Sequence, residues 1–455
     1  MELVDHIPAL MVITLAVMLF TGYPVAFVLA GVGVLFAGLG VVIGEFPMVA
    51  FFNIPARLWG SINGSLIFPT VPMLIFMGVA LEKSGVAQEM LLALQGLVRR
   101  VPGSMAVAMT VLGILLAPSA GLVGASVATL ALIGLPTMLA QGYRRSYSIG
   151  SVAAAGTLGI ILPPGIMLFF LSDLMHISMG PIFVSTLAPG LLLALLFMVY
   201  YVARALIDPT TAPRLPADPN LRLRDILGAA MRGLTLPVLL IASVLGSIIA
   251  GLATPVQSAA VGAAGGLLIM HYRGRLTRAH LHEVIVTTAT TCSMVFFIIL
   301  AASVFSYPFN FFEGGDQIRD FLLGVPLNDW QMLLTILGII FILGFFVDWI
   351  EITVIVLPLL LPILLGLDFT DHVGGPRQLV PIWLAVQIAL VLQSSFMTPP
   401  FGFSLFFAKG AAPPEVTLAD TYRGVAPLVM VQLLVIGLVL AYPGLATWLP
   451  SLVMD

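Results

Sequence analysis

Two proline pairs divide long apolar segments of this chain, and they are the first residues that could do chemistry. They lie in "GTLGIILPPGIMLFFL" (156–171) and "QSSFMTPPFGFSLFF" (393–407). A Pro-Pro pair removes two backbone N–H donors, so carbonyl groups one turn earlier lose their helical partners. In hydrocarbon an unpaired carbonyl costs several kcal/mol. Such a break is therefore expected where free carbonyl and N–H groups bind an ion or a substrate.

Hydroxyl side chains surround both breaks and a nearby turn of small residues, "APSAGLVGAS" (117–126). These residues are Thr157, Ser394, Ser395 and Thr398 beside the breaks, and Ser119 and Ser126 in the turn. Neutral oxygen atoms are hard ligands, which favour Na⁺ over a transition metal. The alternative is that these hydroxyls satisfy the kinked helices, and for any single hydroxyl both interpretations stay open.

Two carboxylates, Asp348 and Glu351, follow a second turn within "GFFVDWIEIT" (344–353). A carboxylate inside a membrane is costly and is a functional candidate by default. We expect Asp348 to contact a cation, and Glu351 is a second candidate. The alternative is that both carboxylates lie in a wet vestibule and cap the turn.

The composition indicates that these residues lie in a membrane. Of the 455 residues 60% are hydrophobic and 9% are charged, whereas a soluble domain carries roughly a quarter charged residues. The apolar segments lack the period-2 alternation of an outer-membrane barrel. The predicted fold class is therefore an all-α polytopic membrane protein. The single cysteine, Cys292, excludes an internal disulfide and a cysteine-rich zinc site.

The apolar segments predict ten membrane helices and two re-entrant hairpins. The helices are expected at 8–20, 24–43, 65–82, 147–178, 182–205, 234–251, 255–271, 287–308, 381–410 and 426–446. Regions 104–140 and 331–366 each split into pieces of about 15 residues, which reach roughly 22 Å at the helical rise per residue. Because the hydrocarbon core is ~30 Å thick, both regions are predicted to enter and leave the bilayer on one side.

Basic residues predict the orientation in the membrane. If the arginine pairs at 99–100 and 144–145 face the cytoplasm, fifteen of the eighteen basic residues fall on that side, as the positive-inside rule requires. The acidic loops "FFEGGDQIRD" and "LDFTDHVGG" then lie outside. This arrangement predicts a multi-pass membrane protein with both termini outside the cytoplasm, which for a protein of the bacterial inner membrane is the periplasm.

The two halves of the chain repeat. Pro24 aligns with Pro255 at an offset of 231 residues, and Pro163 aligns with Pro399 at 236. Opposite orientation of the halves would be the inverted repeat of secondary transporters. The predicted organisation is a first repeat at 1–205 (scaffold helices 8–82, hairpin 104–140, broken helix 147–178, closing helix 182–205), a cytoplasmic linker at 206–233, and a second repeat at 234–455 (helices 234–308, hairpin 331–366, broken helix 381–410, closing helix 426–446).

Several segments resemble one transporter family. They are "ASVATLALIGLPTMLAQGY" (125–143), "AAAGTLGIILPPGI" (153–166), "AGLATPVQSAAVGA" (250–263), "FFVDWIEITVIVLPLLLPIL" (345–364) and "SSFMTPPFGFSLFFAKGAAPPEV" (394–416). Over nearly its whole length the chain resembles the large permease subunit of tripartite ATP-independent periplasmic (TRAP) transporters. Details such as "TPPFGFSLFF" and "AAPPEV" are similar to the mannitol/chloroaromatic-type branch.

This resemblance implies an inverted-repeat elevator transporter, in which the hairpins and broken helices move across a scaffold. It implies Na⁺ as the coupling ion and no other cofactor. The implied partners are a small four-helix membrane subunit and a periplasmic solute-binding protein, with no role for nucleic acid. The branch favours a small organic acid as substrate, in the class of 2-oxo, 2-hydroxy or aromatic monocarboxylates.

The resemblance also implies that the sites lie between each hairpin tip and the neighbouring broken helix. The candidate Na⁺ residues are Ser119, Thr157, Gly344, Asp348, Ser394, Ser395 and Thr398. The candidate substrate residues are Ser119, Gly121, Gly124, Ser126, Pro163, Pro164, Thr398, Pro399 and Pro400. The chain departs from the family at Gln257-Ser258, where "TEAA" is common, and so lacks a carboxylate beside that "TP" motif.

Three other functions are alternatives to this one. A passive channel would not need two symmetric hairpin gates. A membrane enzyme is disfavoured because the chain has no HExxH, no nucleophile elbow and no cysteine–histidine pairing. A stand-alone ion-coupled organic-anion carrier, which works without a binding protein, is the main competitor.

Overall fold

The structure is a computed structural model, and its described residues contain helices but no strand. These residues are 6–63, 68–116, 123–214, 223–400 and 402–454. Seven segments within them are long and apolar enough to cross a bilayer. An eighth is formed if Thr70–Lys83 and Val86–Leu97, which meet at a bend of 66°, count as one. The all-α polytopic fold class is confirmed.

The helices follow one another through the whole chain. In the first half they are Ile7–Leu19, Val25–Val42, Met48–Phe52, Ile54–Asn63, Thr70–Lys83, Val86–Leu97, Ser104–Leu115, Val123–Ala140, Arg145–Ile161, Ile166–Leu174 and Met179–Ile207. In the second half they are Leu223–Ile249, Pro255–Tyr272, Arg278–Phe311, Gly314–Leu323, Asp329–Leu343, Trp349–Glu351, the π-helical Ile352–Val356, Leu357–Gly366, Thr370–Val373, Leu379–Ser395, Phe403–Gly410, Leu418–Ala441 and Gly444–Met454. Each predicted membrane segment coincides with a helix or with a helix pair broken at proline.

The polar segments differ most from the sequence-based expectation. A helix begins at Leu223 and runs to Ile249, so the end of the predicted linker at 206–233 is helical. Its first turns carry charged residues, and a count of apolar residues detects only the apolar part of a helix. For the same reason the sequence did not predict the helix Gly314–Leu323, which lies inside a predicted acidic loop.

The helix Pro255–Tyr272 shows how local sequence sets a helix start. The Thr254 hydroxyl accepts a hydrogen bond from the Gln257 N–H at 3.3 Å, and the Gln257 side chain accepts one from the Thr254 N–H at 2.9 Å. Such a capping box satisfies two of the N–H groups that a helix start leaves free. Gln257 therefore has a structural role at this helix start.

Both proline pairs interrupt a helix, as predicted. The first broken helix consists of Arg145–Ile161 and Ile166–Leu174, and the second consists of Leu379–Ser395 and Phe403–Gly410. In each case a long half precedes the break and a half of nine or eight residues follows it. The breaks thus give two helix ends and two helix starts inside the protein.

Both predicted hairpins consist of two helical arms. The first hairpin has the arms Ser104–Leu115 and Val123–Ala140, and the second has Asp329–Leu343 and Trp349–Gly366. In each hairpin the first arm is the shorter one. Ser104–Leu115 has 12 residues and Asp329–Leu343 has 15, too few to span the hydrocarbon core. The second arm of each hairpin has 18 residues and is longer than expected, because the turn lies before the centre of each region.

The chain forms two compact units. The first unit contains Met1–Phe68, Cys292–Gly338 and Val347–Asp368, and the second contains Pro69–Thr291, Ile339–Phe346 and Phe369–Asp455. Each unit takes segments from both halves of the chain, so neither unit coincides with a predicted repeat. Sequence equivalence does not require that a repeat packs by itself, and the division into two repeats stays a prediction.

Close helix contacts and aromatic rings form the core of the first unit. A Cβ atom placed on Gly33 would lie 2.6 Å from the carbonyl oxygen of Val304, so the two helices approach at backbone distance. The ring of Phe46 packs against Phe311 with centroids 4.6 Å apart. Edge-to-face ring contacts of this kind stabilise a core beyond the area that they bury.

The first half of the first broken helix lies at the centre of the second unit. Every residue from Tyr147 to Ile161 is buried, which small residues such as those of "AAAG" make possible. A Cβ atom on Gly150 would overlap the Gly424 carbonyl, and one on Gly424 would overlap the Ser146 carbonyl. Helices in membranes approach most closely where small residues face each other, so these two glycines hold the broken helix against Leu418–Ala441.

The substitution Gly424→Ala should therefore lower the thermal stability of the purified protein. The added methyl group must displace the backbone of the neighbouring helix, and overpacking of this kind costs about 1–3 kcal/mol. The matched control is Gly437→Ala in the same helix, where no atom lies within 4 Å of the added carbon. Equal unfolding temperatures for the two variants in detergent would contradict the role given to this crossing.

Candidate functional site

The first break brings three carbonyl oxygens together. The proline pair occupies the positions whose N–H groups would bond to Gly159 and Ile160. Among the described residues, no hydrogen bond from outside the helix reaches either oxygen. A Cβ atom placed on Gly165 would lie 2.6 Å from the Ile160 oxygen and 2.9 Å from the Gly159 oxygen. The Leu162 oxygen, which accepts a hydrogen bond from the Gly165 N–H, lies 3.1 Å from the same point, so three carbonyl oxygens surround Gly165 and leave no room for a side chain.

The second break has a different hydrogen-bonding pattern. The Phe396 carbonyl, whose helical donor is also replaced by proline, accepts hydrogen bonds from the N–H and the hydroxyl of Ser404 at 3.1 Å and 2.8 Å. A Cβ atom on Gly402, which has a φ of +44°, would lie 2.9 Å from the Phe396 oxygen. The second break therefore supplies its own donor for a freed carbonyl.

The predicted substrate prolines differ in their exposure. Pro163 and Pro164 are buried, Pro399 is half-buried, and Pro400 is exposed. The Tyr422 hydroxyl donates to the Pro400 carbonyl at 2.8 Å. Within the second unit, the second break is thus the more open of the two.

The predicted hydroxyl residues donate to carbonyl groups of their own helices. The bonds run from Thr157 to Ala154 at 2.9 Å, from Ser394 to Leu390 at 2.8 Å, from Ser395 to Leu392 at 2.8 Å, and from Thr398 to Ser394 at 2.9 Å. A hydroxyl that donates still has lone pairs for a cation. The geometry therefore fits both the structural interpretation and the ligand interpretation of these residues.

The tip of the second hairpin touches the second broken helix. Gly344 lies against Ser395 so closely that a Cβ atom on the glycine would overlap the serine hydroxyl. Both residues belong to the second unit and are buried. The structure thus brings together two of the predicted Na⁺ residues that are 51 positions apart in the chain.

Part of the first hairpin tip lies outside the described residues, and this part includes the candidates Ser119 and Gly121. Gly124 is buried, and a Cβ atom on it would overlap the ring of Phe407. Phe407 belongs to the short half of the second broken helix. The first hairpin therefore packs against the broken helix of the other half of the chain.

Ser126 places an unpaired hydroxyl near the first broken helix. Its oxygen is buried and has no hydrogen-bond partner in the described chain. The next residue, Val127, packs on Gly156, where an added Cβ atom would lie 3.0 Å from the Val127 Cα. Gly156 precedes Thr157, so Ser126 and Thr157 lie on segments in direct contact. A buried hydroxyl without a partner is a candidate ligand at such a place.

The two carboxylates have different surroundings within the first unit. Asp348 is half-buried and caps the helix that follows, because its Oδ1 accepts a hydrogen bond from the Trp349 N–H at 2.7 Å. Glu351 is 5% exposed, and its Oε2 has no partner among the described residues. Capping therefore accounts for one oxygen of Asp348, while Glu351 is the more buried carboxylate. The π-helical segment Ile352–Val356 begins directly after it, a geometry often found at functional sites.

A polar contact fixes the start of the first broken helix. The Arg144 N–H donates to the Thr211 carbonyl at 2.9 Å, and the Arg144 side chain lies 3.4 Å from Asp208. Hydrogen bonds from the Thr210 and Thr211 hydroxyls, at 2.5 Å and 2.9 Å, lower the pKa of the Asp208 carboxyl below its ordinary value. This contact is therefore present at neutral pH and is lost when the pH falls through the pKa of Asp208.

Sequence reasoning missed three groups of this site. The Gly159 and Ile160 carbonyls lie four residues before Pro163 and Pro164, so the spacing in the sequence was a signal for them. Gln393 is fully buried, and its side-chain N–H donates to the Thr157 hydroxyl at 3.1 Å. A glutamine within an apolar run was a visible signal, but the sequence did not indicate its partner.

The ligands available here are mostly neutral oxygens. In the described ranges, no three side chains of His, Cys, Asp and Glu come close enough to hold a metal ion together. Carbonyl and hydroxyl groups therefore form the candidate sites at the breaks.

The family follows from comparison with known proteins. The model of the family described as "Tripartite ATP-independent periplasmic transporter, DctM component" matches residues 12–445. The chain belongs to this family. As a DctM component it is the large membrane subunit of a TRAP transporter, works with a small membrane subunit and a periplasmic binding protein, and is a transporter rather than an enzyme. It is a multi-pass protein of the bacterial inner membrane.

Several TRAP permeases are similar over most of their length. The C4-dicarboxylate TRAP transporter large permease protein DctM of Pseudomonas aeruginosa is 28% identical over 386 residues, 84% of this chain and 85% of that protein. The sialic acid TRAP transporter large permease protein SiaM of Vibrio cholerae is 25% identical over 440 residues, 96% of each chain. The isethionate TRAP transporter permease protein DctMQ of Oleidesulfovibrio alaskensis is 28% identical over 443 residues, 96% of this chain and 64% of that protein.

A solved structure shares the fold of this DctM component. It is the crystal structure of the Alcanivorax borkumensis YdaH transporter, reported to have an unusual topology. The TM-score is 0.55 at 18% identity, with 86% of this chain and 87% of that chain covered. The likeness concerns the fold, and the mannitol/chloroaromatic-type branch stays a prediction.

The substitution Gly165→Ala should disrupt the carbonyl site of the first break. A methyl group there would displace three carbonyl oxygens, and ligand positions must be held within about 0.5 Å, so binding of ²²Na⁺ should weaken by about tenfold or more. The control is Gly246→Ala, where the added carbon meets no atom within 4 Å. Unchanged ²²Na⁺ binding by the Gly165→Ala variant, with a folded protein, would exclude these carbonyls as ligands.

Proposed function

We propose that this chain is the permease of a Na⁺-coupled transporter that takes up a small organic acid delivered by a periplasmic binding protein. The observation that carries the proposal is the group of carbonyl oxygens around Gly165. Freed carbonyls inside a membrane protein are tolerated where they line a site. A cation at this position would supply the partners that the proline pair removes.

The ligand chemistry favours Na⁺ as the coupling ion. Ca²⁺ sites use several carboxylate oxygens, and transition metals prefer imidazole or thiolate ligands. The groups at the breaks are backbone carbonyls and the hydroxyls of Thr157, Ser394, Ser395 and Thr398. A monovalent hard cation suits this neutral set, and Asp348 and Glu351 offer the negative charge for a second ion.

The short halves of the broken helices suit an anionic substrate. Ile166–Leu174 and Phe403–Gly410 begin just after the two breaks, and helix starts present N–H groups and a positive dipole end to an anion. The relatives named above are named for C4-dicarboxylate, sialic acid and isethionate, which are all organic acids. For this chain the resemblance to the mannitol/chloroaromatic-type branch favours a 2-oxo, 2-hydroxy or aromatic monocarboxylate.

The mechanism that fits this arrangement is an elevator. The hairpins and broken helices would carry the substrate and Na⁺ across a scaffold formed by the other helices. Substrate contacts are proposed at the tips and breaks, at Ser119, Gly121, Gly124, Ser126, Pro163, Pro164, Thr398, Pro399 and Pro400. With the arginine pairs inside, both termini lie in the periplasm.

A stand-alone carrier without a binding protein is the alternative function. It would use the same breaks and hairpins, so the site geometry fits it equally. The family membership favours the tripartite system. Uptake that proceeds at full rate in the absence of any binding protein would support the alternative.

Transport should require Na⁺. In proteoliposomes that contain both membrane subunits, with the binding protein added, uptake should stop when choline replaces Na⁺ on both sides. The pH gradient and the membrane potential should be varied separately as controls. Undiminished uptake driven by a pH gradient in choline would contradict sodium coupling.

The substitution Asp348→Asn should strongly reduce Na⁺-driven uptake. Asparagine is as good an N-cap as aspartate, so the contact with Trp349 should persist while the charge is lost. A full charge near a cation at an effective dielectric of ~20 is worth about 4 kcal/mol at 4 Å. Equal thermal stability of the wild type and the Asp348→Asn variant would confirm that the cap is intact. Uptake by the variant at the wild-type rate would assign Asp348 to capping alone.

A further inference from the structure

One side-chain contact joins the two broken helices. Gln393 Nε2 donates a hydrogen bond to Thr157 Oγ1 at 3.1 Å, and both residues are 0% exposed. Both lie in the second unit. Burying two polar side chains in contact is favourable when their hydrogen bonds are satisfied.

The two residues are equivalent positions of the predicted repeats. They are 236 residues apart, which is the offset between Pro163 and Pro399. Each therefore lies six positions before the first proline of its own break. The contact thus joins the two halves of the chain at matching places.

The contact leaves one strong acceptor unused. Gln393 Oε1 is buried and has no hydrogen-bond partner in the described part of the chain. Thr157 already donates its hydroxyl proton to the Ala154 carbonyl, so it cannot also donate to Gln393. An unsatisfied buried carbonyl costs about 1–3 kcal/mol, and in a native protein such a group calls for a specific explanation.

The neighbours of the contact belong to both candidate cation sites. Thr157 lies two residues before Gly159, whose carbonyl oxygen packs beside Gly165 at the first break. Gln393 precedes Ser394 and Ser395, and Ser395 touches Gly344 at the second hairpin tip. The amide of Gln393 is therefore a short, fully buried link between groups of the two sites.

We propose that Gln393 is a positioning residue that couples the two cation sites. If Thr157 is a ligand of the first cation, binding would fix its hydroxyl and, through it, the Gln393 amide and the turn that carries Ser394 and Ser395. The second site would then be ordered before its own ion binds, and the two ions would bind cooperatively. This inference rests on the proposed sodium coupling and adds the residue that connects the ions.

The test is the shape of the ²²Na⁺ binding curve of the permease purified with its small subunit, with choline chloride holding the ionic strength constant. Wild type should give a Hill coefficient above 1. Gln393→Met, which keeps the length of the side chain and removes its polar atoms, should bring the coefficient to about 1 and raise the half-saturating Na⁺ concentration by about 3- to 10-fold, the range of one hydrogen bond. Gln393→Asn, which is too short to reach Thr157, should do the same and is the milder change for folding.

The matched control is Gln387→Met on the same helix. Gln387 is also 0% exposed, and neither polar atom of its side chain has a partner among the described residues. This variant should keep the wild-type Hill coefficient. If it loses cooperativity as Gln393→Met does, the effect reflects buried amides in general and the proposal is wrong.

The remaining outcomes separate this inference from the proposed function. An unchanged Hill coefficient in both Gln393 variants overturns the coupling role while sodium coupling stands. A Hill coefficient of 1 for the wild-type protein also overturns the coupling role and leaves sodium coupling in place. Absence of any Na⁺ binding by the wild-type protein overturns both proposals.

Discussion

A backbone carbonyl cannot stay unpaired in hydrocarbon, and the structure depends on this constraint. Two proline pairs free carbonyl groups in the middle of two helices, so these carbonyls need either burial within the protein or new donors. The first broken helix meets this requirement by burial of every residue from Tyr147 to Ile161. The arms of the first hairpin and Leu418–Ala441 surround it, and the last of these helices can do so because Gly150 and Gly424 allow contact at backbone distance.

The two breaks differ in the hydrogen bonding of their freed carbonyls. At the second break Ser404 supplies donors to the freed Phe396 carbonyl. At the first break the carbonyls of Gly159 and Ile160 converge beside Gly165, and no such donor reaches them from the described part of the chain. Two similar sequence motifs thus differ in how their freed carbonyls are paired.

Close approach at small residues also links the moving parts of the proposed mechanism. Gly344 meets Ser395 at the second tip, and Gly156 meets Val127 beside the first tip. A larger side chain at either glycine would push a hairpin away from its broken helix. The candidate ligands are therefore held by contacts between backbones, which leave few ways to shift one group without moving its neighbours.

The sequence by itself determined the membrane environment, the two breaks, the two hairpins and the family, because each depends on local chemistry such as apolar length, missing N–H donors and characteristic motifs. Only the tertiary structure decided which distant groups meet. It paired Gln393 with Thr157, made Glu351 more buried than Asp348, and began a helix at Leu223 inside the predicted linker. These outcomes depend on how side chains from separate segments pack and how far helices extend beyond their apolar segments, and neither property is encoded in a local stretch of residues.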